Sequence, residues 1–425
     1  MMERYREYKE SGVKWLGEIP SHWELRKMKY TFSERSQKGF PQEPLLASTQ
    51  THGVILKSQY ENRTVEAIKS LGTLKLVEIG DFVISLRSFQ GGLEYAYNRG
   101  IISPAYTILT PTHIKADYFK YLSKSDIFIS LLKSTVTGIR EGQNIDYNKL
   151  KDNLLPIPSE KEQISIGSYL DTATSEIDKA IAMQQKMIDL LNERKQIIIQ
   201  NAVTKGLDEN VEMKESGVEW IGRIPKHWEV VRLSHLTSKI GSGSTPKAGY
   251  VESGIIFLRS QNVYCEGLKL NDVVHISANV HRNMSGTKVL PNDVLMNITG
   301  GSIGRCFYVD ETLGEANVNQ HVSIIRPTSI DTHYLKYYLQ SYCGQIQVSL
   351  EQTGGNREGL TAKALAKFLI TYPSQSEQKE IAAYLDSEMQ RFDSAITNCQ
   401  RQITLLQERK QIIINEVVTG KVRVI

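Results

Sequence analysis

The chain is written twice, and any fold proposed for it must accommodate that. Positions 9–24 read KESGVKWLGEIPSHWE and positions 214–229 read KESGVEWIGRIPKHWE, identical at twelve of sixteen places. Positions 158–204 and 373–419 align without a gap. They share Glu162-Gln163 with Glu377-Gln378 and Tyr169-Leu170-Asp171 with Tyr384-Leu385-Asp386, and ERKQIII recurs at 193–199 and 408–414. Repetition over such lengths marks a structural unit built twice. Between the shared stretches lie two inserts of similar length that are barely alike, except for a short Arg-Glu-Gly at 140–142 and 357–359. The division is a shared lead segment 1–24, a first insert 25–155, a helical region 156–210, a second lead segment 211–229, a second insert 230–371 and a helical region 372–425. Two constant frames carrying two divergent inserts imply a pseudo-two-fold molecule with two different heads.

The shared ends read as helices. From Asp171 onward Ile177, Ile181, Gln184, Ile188, Leu191, Lys195, Ile198 and Ala202 alternate by four and three, as an a/d heptad stripe does. The second copy places Phe392, Ile396, Cys399, Ile403, Leu406, Lys410, Ile413 and Val417 equivalently. Glycine ends are expected at Gly206 and Gly420. Either each helix is an ordinary core helix of its own domain, or the two form an antiparallel intramolecular coiled coil. In the second case about 34 residues at 1.5 Å each make a rod of about 50 Å. Gln184, Lys195 and Lys410 then sit on the seam, where they fix register or reach out to solvent. Ile197, Ile199, Ile412 and Ile414 widen the apolar face beyond what two strands need, leaving room for partner helices.

Each insert reads as a compact α/β domain, which makes the whole an α+β multidomain chain. The first has strand-like stretches at 74–86 and 105–109 and a helix at 117–132; the second has strands at 255–258, 289–296 and 321–325 and a helix at 334–350. Polar turns are the candidate contacts, because Arg reads guanine, Asn and Gln read adenine, and glycine lets the backbone approach a phosphate. In the first insert these are Thr49, Gln50 and His52, then Arg87, Ser88 and Gln90. In the second they are Ser244 and Thr245; Arg259, Gln261 and Asn262; Asn297, Thr299 and Ser302; and Asn319 and Gln320. The alternative is that these turns are simply solvated. Arg140 and Arg357 either meet phosphate or pair with the neighbouring Glu.

Catalytic signatures are missing from the sequence. Gly420-Lys421 lacks the rest of a phosphate-binding loop, and no H-E-x-x-H, G-x-S-x-G or Asn-Pro-Pro-aromatic motif occurs. His22 and His227, in a repeated Pro-x-His-Trp, are expected to pack or cap, with Trp15, Trp23, Trp220 and Trp228 as anchors. Cys265, Cys306, Cys343 and Cys399 form no C-x-x-C pair, so neither a disulfide framework nor a metal site is expected. A net charge of +4 permits nucleic-acid binding without establishing it. Hydrophobic content of 40% over 425 residues supports two or three folded domains. With no apolar run long enough to span a membrane and a charged start, a cytoplasmic location is expected.

The paired motifs, Ser-Gly-Val-x-Trp-x-Gly-x-Ile-Pro-x-His-Trp at the head of each unit and Glu-Gln…Tyr-Leu-Asp…Leu-Leu-x-Glu-Arg-Lys-Gln at its end, resemble the specificity subunits of type I restriction-modification systems over essentially the whole chain. The resemblance implies two target recognition domains, each reading one half of an asymmetric bipartite site on double-stranded DNA, on two long helices that set the spacer. It also implies a subunit without catalysis of its own. Methyltransferase and restriction/translocase subunits would be its partners and would bring S-adenosylmethionine, ATP and magnesium, none of which would bind here. A 50 Å rod corresponds to roughly 15 base pairs. Base contacts in the family follow no single motif, so the contacts named above rest on residue chemistry alone. Two other classes remain: a self-sufficient enzyme fusing recognition to methylation or cleavage, and a coiled-coil protein that binds no DNA.

Overall fold

The computed structural model describes residues 3–60, 71–85, 88–137, 144–247, 249–352 and 359–424. In it the shared lead segment makes the same small device in both copies. Tyr8–Glu10 pairs antiparallel with Glu18–Pro20, and Met213–Glu215 with Arg223–Pro225. The next strand then zips the two ends of each insert together, Glu24–Lys27 against Leu154–Ile157 and Glu229–Arg232 against Leu369–Tyr372. Trp23 and Trp228 are wholly buried beneath these strands. Fully burying so large an apolar surface contributes several kcal/mol.

The backbone contacts divide the chain into one unit of residues 1–185 with 400–425 and a second of 186–399. The two inserts, unlike in sequence, follow one topology. The first builds an antiparallel sheet in the order Phe32–Arg35, Thr107–Pro111, Phe82–Ile84, Glu94–Tyr95; the second builds Thr237–Ser242, Val322–Pro327, Val294–Asn297, Cys306–Tyr308. Two short helices follow in each, Ala116–Leu122 and Asp126–Ser134, or Thr332–Gln340 and Tyr342–Glu351. A buried aspartate marks the start of the third-listed strand in both. Asp81 accepts from Arg35 Nε at 2.8 Å and Thr110 Oγ1 at 2.7 Å, and Asp293 takes both arms of Arg326 at 2.7 and 2.8 Å. The arginine comes from a different strand each time, so the charge balance is kept while the sequence is not.

The second insert adds a further sheet, Val274–Ile276, Ile255–Leu258, Ala316–Val318, Lys288–Val289, in which the middle pair is parallel. Among the described residues the first has in that region the pairs Leu46–Thr49 with Gly53–Leu56 and Lys75–Val77 with Gly100–Ile102, joined by single parallel bridges such as Leu45 to Ile101. Several expected elements break where the chain turns. The 74–86 strand is two, Lys75–Val77 and Phe82–Ile84, because Gly80 between them takes a φ of +90°. The strand at 289–296 divides likewise around Asn292, at φ +68°. Each expected helix is also two. Ser125 and Ser341 cap new helices by accepting from Phe128 N and Gly344 N, and serine favours that position over the helix interior.

The shared ends are long helices, Glu160–Lys205 of 46 residues and Gln375–Val418 of 44. Both begin well before Asp171 and Asp386, where the heptad pattern starts. Ser159 and Glu162 form a capping box, as do Ser374 and Glu377. Gly167 is kept inside the first helix because a Cβ there would meet Asp117 Cβ at 2.9 Å, where the Ala116–Leu122 helix crosses. Among the stripe positions Ile177, Ile188, Ala202 and Val417 are buried and Ile181, Leu191, Ile198, Phe392, Ile396, Ile403, Leu406 and Ile413 are half-buried, while Met183, Met187, Leu405 and Ile412 on other faces are exposed. Lys195 Nζ meets Asp393 Oδ1 at 2.5 Å, and its repeat counterpart Lys410 meets Asp178, the counterpart of Asp393, at 2.7 Å. These reciprocal pairs run the helices antiparallel as a coiled coil. Gly206 and Gly420 end them at φ +75° and +73°. A Cβ on Gly420 would strike Pro20 Cδ at 2.4 Å, so the lead segment requires glycine there.

Each unit has its own core. Ile414, Val417 and Val418 join Trp23, Phe32, Phe82, Phe119 and Phe128 in the first, and Ile199, Ala202 and Val203 join Trp228, Tyr334, Tyr338 and Phe368 in the second. Cys306 and Cys343 are buried, whereas Cys265 and Cys399 are partly open.

Candidate nucleic-acid interface

The frame holds each insert domain through the repeated motif residues. Glu162 accepts from Trp23 Nε1 at 3.4 Å and lies 2.9 Å from His22 Nε2; Glu377 does the same for Trp228 at 3.1 Å and His227 at 2.7 Å. Gln163 accepts from Lys115 N and donates to Pro158 O, and Gln378 accepts from Asp331 N and donates to Pro373 O. The repeated aspartates dock the first domain helix. Asp171 takes Tyr121 Oη and Lys120 Nζ, both at 2.6 Å, and Asp386 takes His333, Tyr337 Oη at 2.7 Å and Lys336 at 3.5 Å. Burial pushes Asp386 up, but the His333 and Tyr337 hydrogen bonds and the Lys336 charge outweigh it and hold the carboxyl at about 2. Glu377, also pushed up by burial, is held at about 2 by His227, Ser374 and Trp228. The histidines are therefore keys between lead segment and helix.

In the second domain the polar turns picked from separate stretches of sequence converge. Thr245 Oγ1 donates to Gln320 Oε1 at 2.7 Å, Gln320 Nε2 meets His321 Nε2 at 3.0 Å, and His321 Nδ1 meets Thr299 Oγ1 at 2.6 Å. Asn297 Nδ2 donates to Ser260 O at 2.8 Å and reaches Ser302 Oγ at 3.2 Å, drawing the 260–262 turn onto the same surface. Ser244, Thr245, Gln261, Gly300, Gly301 and Gln320 are exposed on it. Asn262, Asn297 and Asn319 are buried instead, with Asn262 Oδ1 accepting from Arg259 N, Asn297 Nδ2 donating to Ser260 O and Asn319 Oδ1 accepting from His321 N, bonds that shape the turns. Asp272 holds Arg259 and Gln261, accepting at its backbone O from Arg259 Nη2 at 2.9 Å and at Oδ2 from Gln261 Nε2 at 2.7 Å.

The first domain gathers its turns in the same way. Gln50 Nε2 donates to Gln90 Oε1 at 3.3 Å, with Gln50, Thr51, His52 and Gln90 exposed. Thr49 and Ser88 are buried, Thr49 donating to Gly53 O and Ser88 accepting from Ser85 N. Arg87, Arg140 and Arg357 lie outside the described residues. Sequence patterning passed over Lys269 and Arg305, two exposed cations that stand 3.8 and 5.1 Å from the Tyr264 ring beside the 260–262 turn. It also passed over Lys124, whose ammonium reaches the Gln50 and Gly91 carbonyls. Isolated cations carry no periodic signal. Among the described residues no group of three or more His, Cys, Asp and Glu is placed to hold a metal ion, and no helix is long and apolar enough to cross a membrane.

Residues 225–407 match the family model described as the type I restriction modification DNA specificity domain. Over essentially its whole length the chain is similar to type I restriction enzyme specificity subunits. A putative type I restriction enzyme MjaX specificity subunit of Methanocaldococcus jannaschii is 27% identical, with 98% of each chain covered. The MjaVIII specificity subunit of the same organism is 26% identical over 82% of this chain and 80% of its own. A solved chain from work on complex assembly and conformational transition of the type I R-M system superposes with a TM-score of 0.73 at 16% identity, covering 94% of this chain and 98% of that one. The fold is thus shared with that solved chain.

Proposed function

We propose that this chain is a specificity subunit that directs a type I restriction-modification complex to an asymmetric bipartite sequence on double-stranded DNA, each recognition domain reading one half. The observation that carries this is one topology displayed twice on a repeated frame, with different polar turns gathered at the reading surface of each copy. Different surfaces on equivalent scaffolds give unlike half-sites. In the second domain Thr245, Thr299, Ser302, Arg259, Gln261 and Gln320 are the base-reading set, with Lys269 and Arg305 on phosphate. In the first, Gln50, His52 and Gln90 read bases.

The long helices set the unread spacer and dock methyltransferase subunits along exposed apolar positions such as Met183, Met187 and Leu405. S-adenosylmethionine, ATP and magnesium belong to the methyltransferase and restriction subunits. At 46 residues the first helix is about 69 Å long, or about 20 base pairs at 3.4 Å each, which raises the ceiling on half-site separation set by the heptad stretch alone. Co-production with the modification subunits of the same system, followed by genome-wide mapping of methylated adenines, tests the reading. A split motif with two unlike halves is expected, and a contiguous motif overturns it. The purified chain alone, given S-adenosylmethionine and DNA, should transfer no methyl group.

A further inference from the structure

Lys124 lies in the turn between the two short helices of the first domain, and its ammonium is fully engaged. It donates to Gly91 O at 2.7 Å, to Gln50 O at 3.3 Å and to Glu94 Oε2 at 2.8 Å. Two of these acceptors are backbone atoms of the turns that carry Gln50 and Gln90. The third is a carboxylate only 1% exposed. The chain around it is packed with little slack. A Cβ on Gly92, at φ +86°, would strike Ser123 O at 2.1 Å, and one on Gly91 would meet Gln50 Cγ at 3.1 Å. The turn itself is braced from behind, since Gln411 Nε2 donates to Lys124 O at 3.1 Å and Asn415 caps the next helix at Asp126 N at 2.9 Å. One residue therefore links the shared helix, through its carbonyl, to the domain and both polar turns, through its ammonium.

We propose that Lys124 and Glu94 form a positioning clamp that sets the geometry of the first reading surface, fixing the Gln50 and Gln90 turns against each other so that their side chains meet base edges in register. This rests on the recognition reading above. A buried carboxylate is a costly way to orient a lysine, and burial pushes Glu94 up to about 7 despite the ion pair. A surface that only needed a positive charge would leave the lysine in water. Lys124 spends its charge inward, with its side chain 29% exposed, so its effect on DNA passes through the turns it holds.

The test uses the full chain co-produced with its modification subunits, with methylated adenines mapped for the wild type and for Lys124→Met, Lys124→Arg and Glu94→Gln. The first half-site is the one that survives exchange of the second insert. Lys124→Met should make it degenerate, with methylation of mismatched first-half sites rising about tenfold relative to matched ones, the worth of one good base contact. The second half should stay unchanged and serve as the control for folding. Lys124→Arg, which keeps the donors, should restore most of the discrimination. If Lys124→Met abolishes methylation altogether, Glu94→Gln, nearly isosteric, carries the same expectation. An unchanged motif in both variants overturns the clamp while leaving the recognition reading intact. A uniform loss of DNA affinity with a shallower salt dependence assigns Lys124 to a phosphate and also overturns it. A wild type with no split motif overturns both readings together.

Discussion

Tyr118 and Tyr334 hold matching places at the base of the two recognition domains. Tyr118 Oη donates to Pro156 O and Val418 O, both at 3.2 Å, and Tyr334 Oη bonds Thr371 Oγ1 at 2.7 Å and lies within reach of Val203 O at 3.3 Å. Replacing either by Phe takes a donor from buried acceptors, Pro156 O and Val418 O in the first case and Thr371 Oγ1, itself donating to Val203 O, in the second, and thermal unfolding should register a loss of about 1–2 kcal/mol. Acid acts on other residues. Glu377 and Asp386 give up their protons more easily in the folded chain, at about 2, than unfolded. Their contribution is thus complete above about pH 5 and disappears as the pH falls toward 2. Glu94 runs the opposite way, because its folded value of about 7 lies above the ordinary one. The stability tied to its protonated form is full below about pH 4 and lost as the pH rises through 7. Glu94→Gln should flatten that loss when melting is followed from pH 5 to 8. Tyr118, Tyr334 and Glu94 belong to no pattern in the sequence. Glu162 and Glu377 were visible only as repeated letters, since their partners His22 and His227 stand more than a hundred positions away.

Elements were legible to the extent that they are periodic. The heptad stripe shows in the letters because three- and four-residue spacing is what a half-covered helix imposes. The first turns of the same helices do not, because there one face meets the domain and Gly167 answers to a neighbour's backbone. The paired short helices read as single ones because apolar spacing continues across Ser123–Ser125, and only the cap hydrogen bond interrupts it. The strand shared between unlike inserts is invisible to alignment because Arg35 and Arg326 balance the same kind of aspartate from different strands. Within the coiled coil, Lys410→Glu should lower stability by no more than about 1 kcal/mol, as exposed pairs do, and Lys410→Glu with Asp178→Lys should recover it in a double-mutant cycle. Adding one turn to both helices between the two units should lengthen the unread spacer in the mapped motif without altering either half.

At the scale of the whole molecule the duplication dictated the architecture before any coordinate did, because a frame repeated to twelve identities in sixteen has few ways to fold differently in its two copies. What it left open was that the divergent inserts share a topology. Exchanging 230–371 for the corresponding insert of a relative should therefore change one half-site and spare the other, read out by the same methylation map. The two units differ in one respect that sequence symmetry hides. The second is a continuous stretch, 186–399, whereas the first needs 400–425 to close its core, where Val417 and Val418 are fully buried. A chain stopped after Cys399 should keep a protease-resistant second domain while the first, fully translated, is digested. On the ribosome this inverts the usual order of completion: the domain that emerges first must wait for residues 400–425 to leave the exit tunnel before it can finish folding.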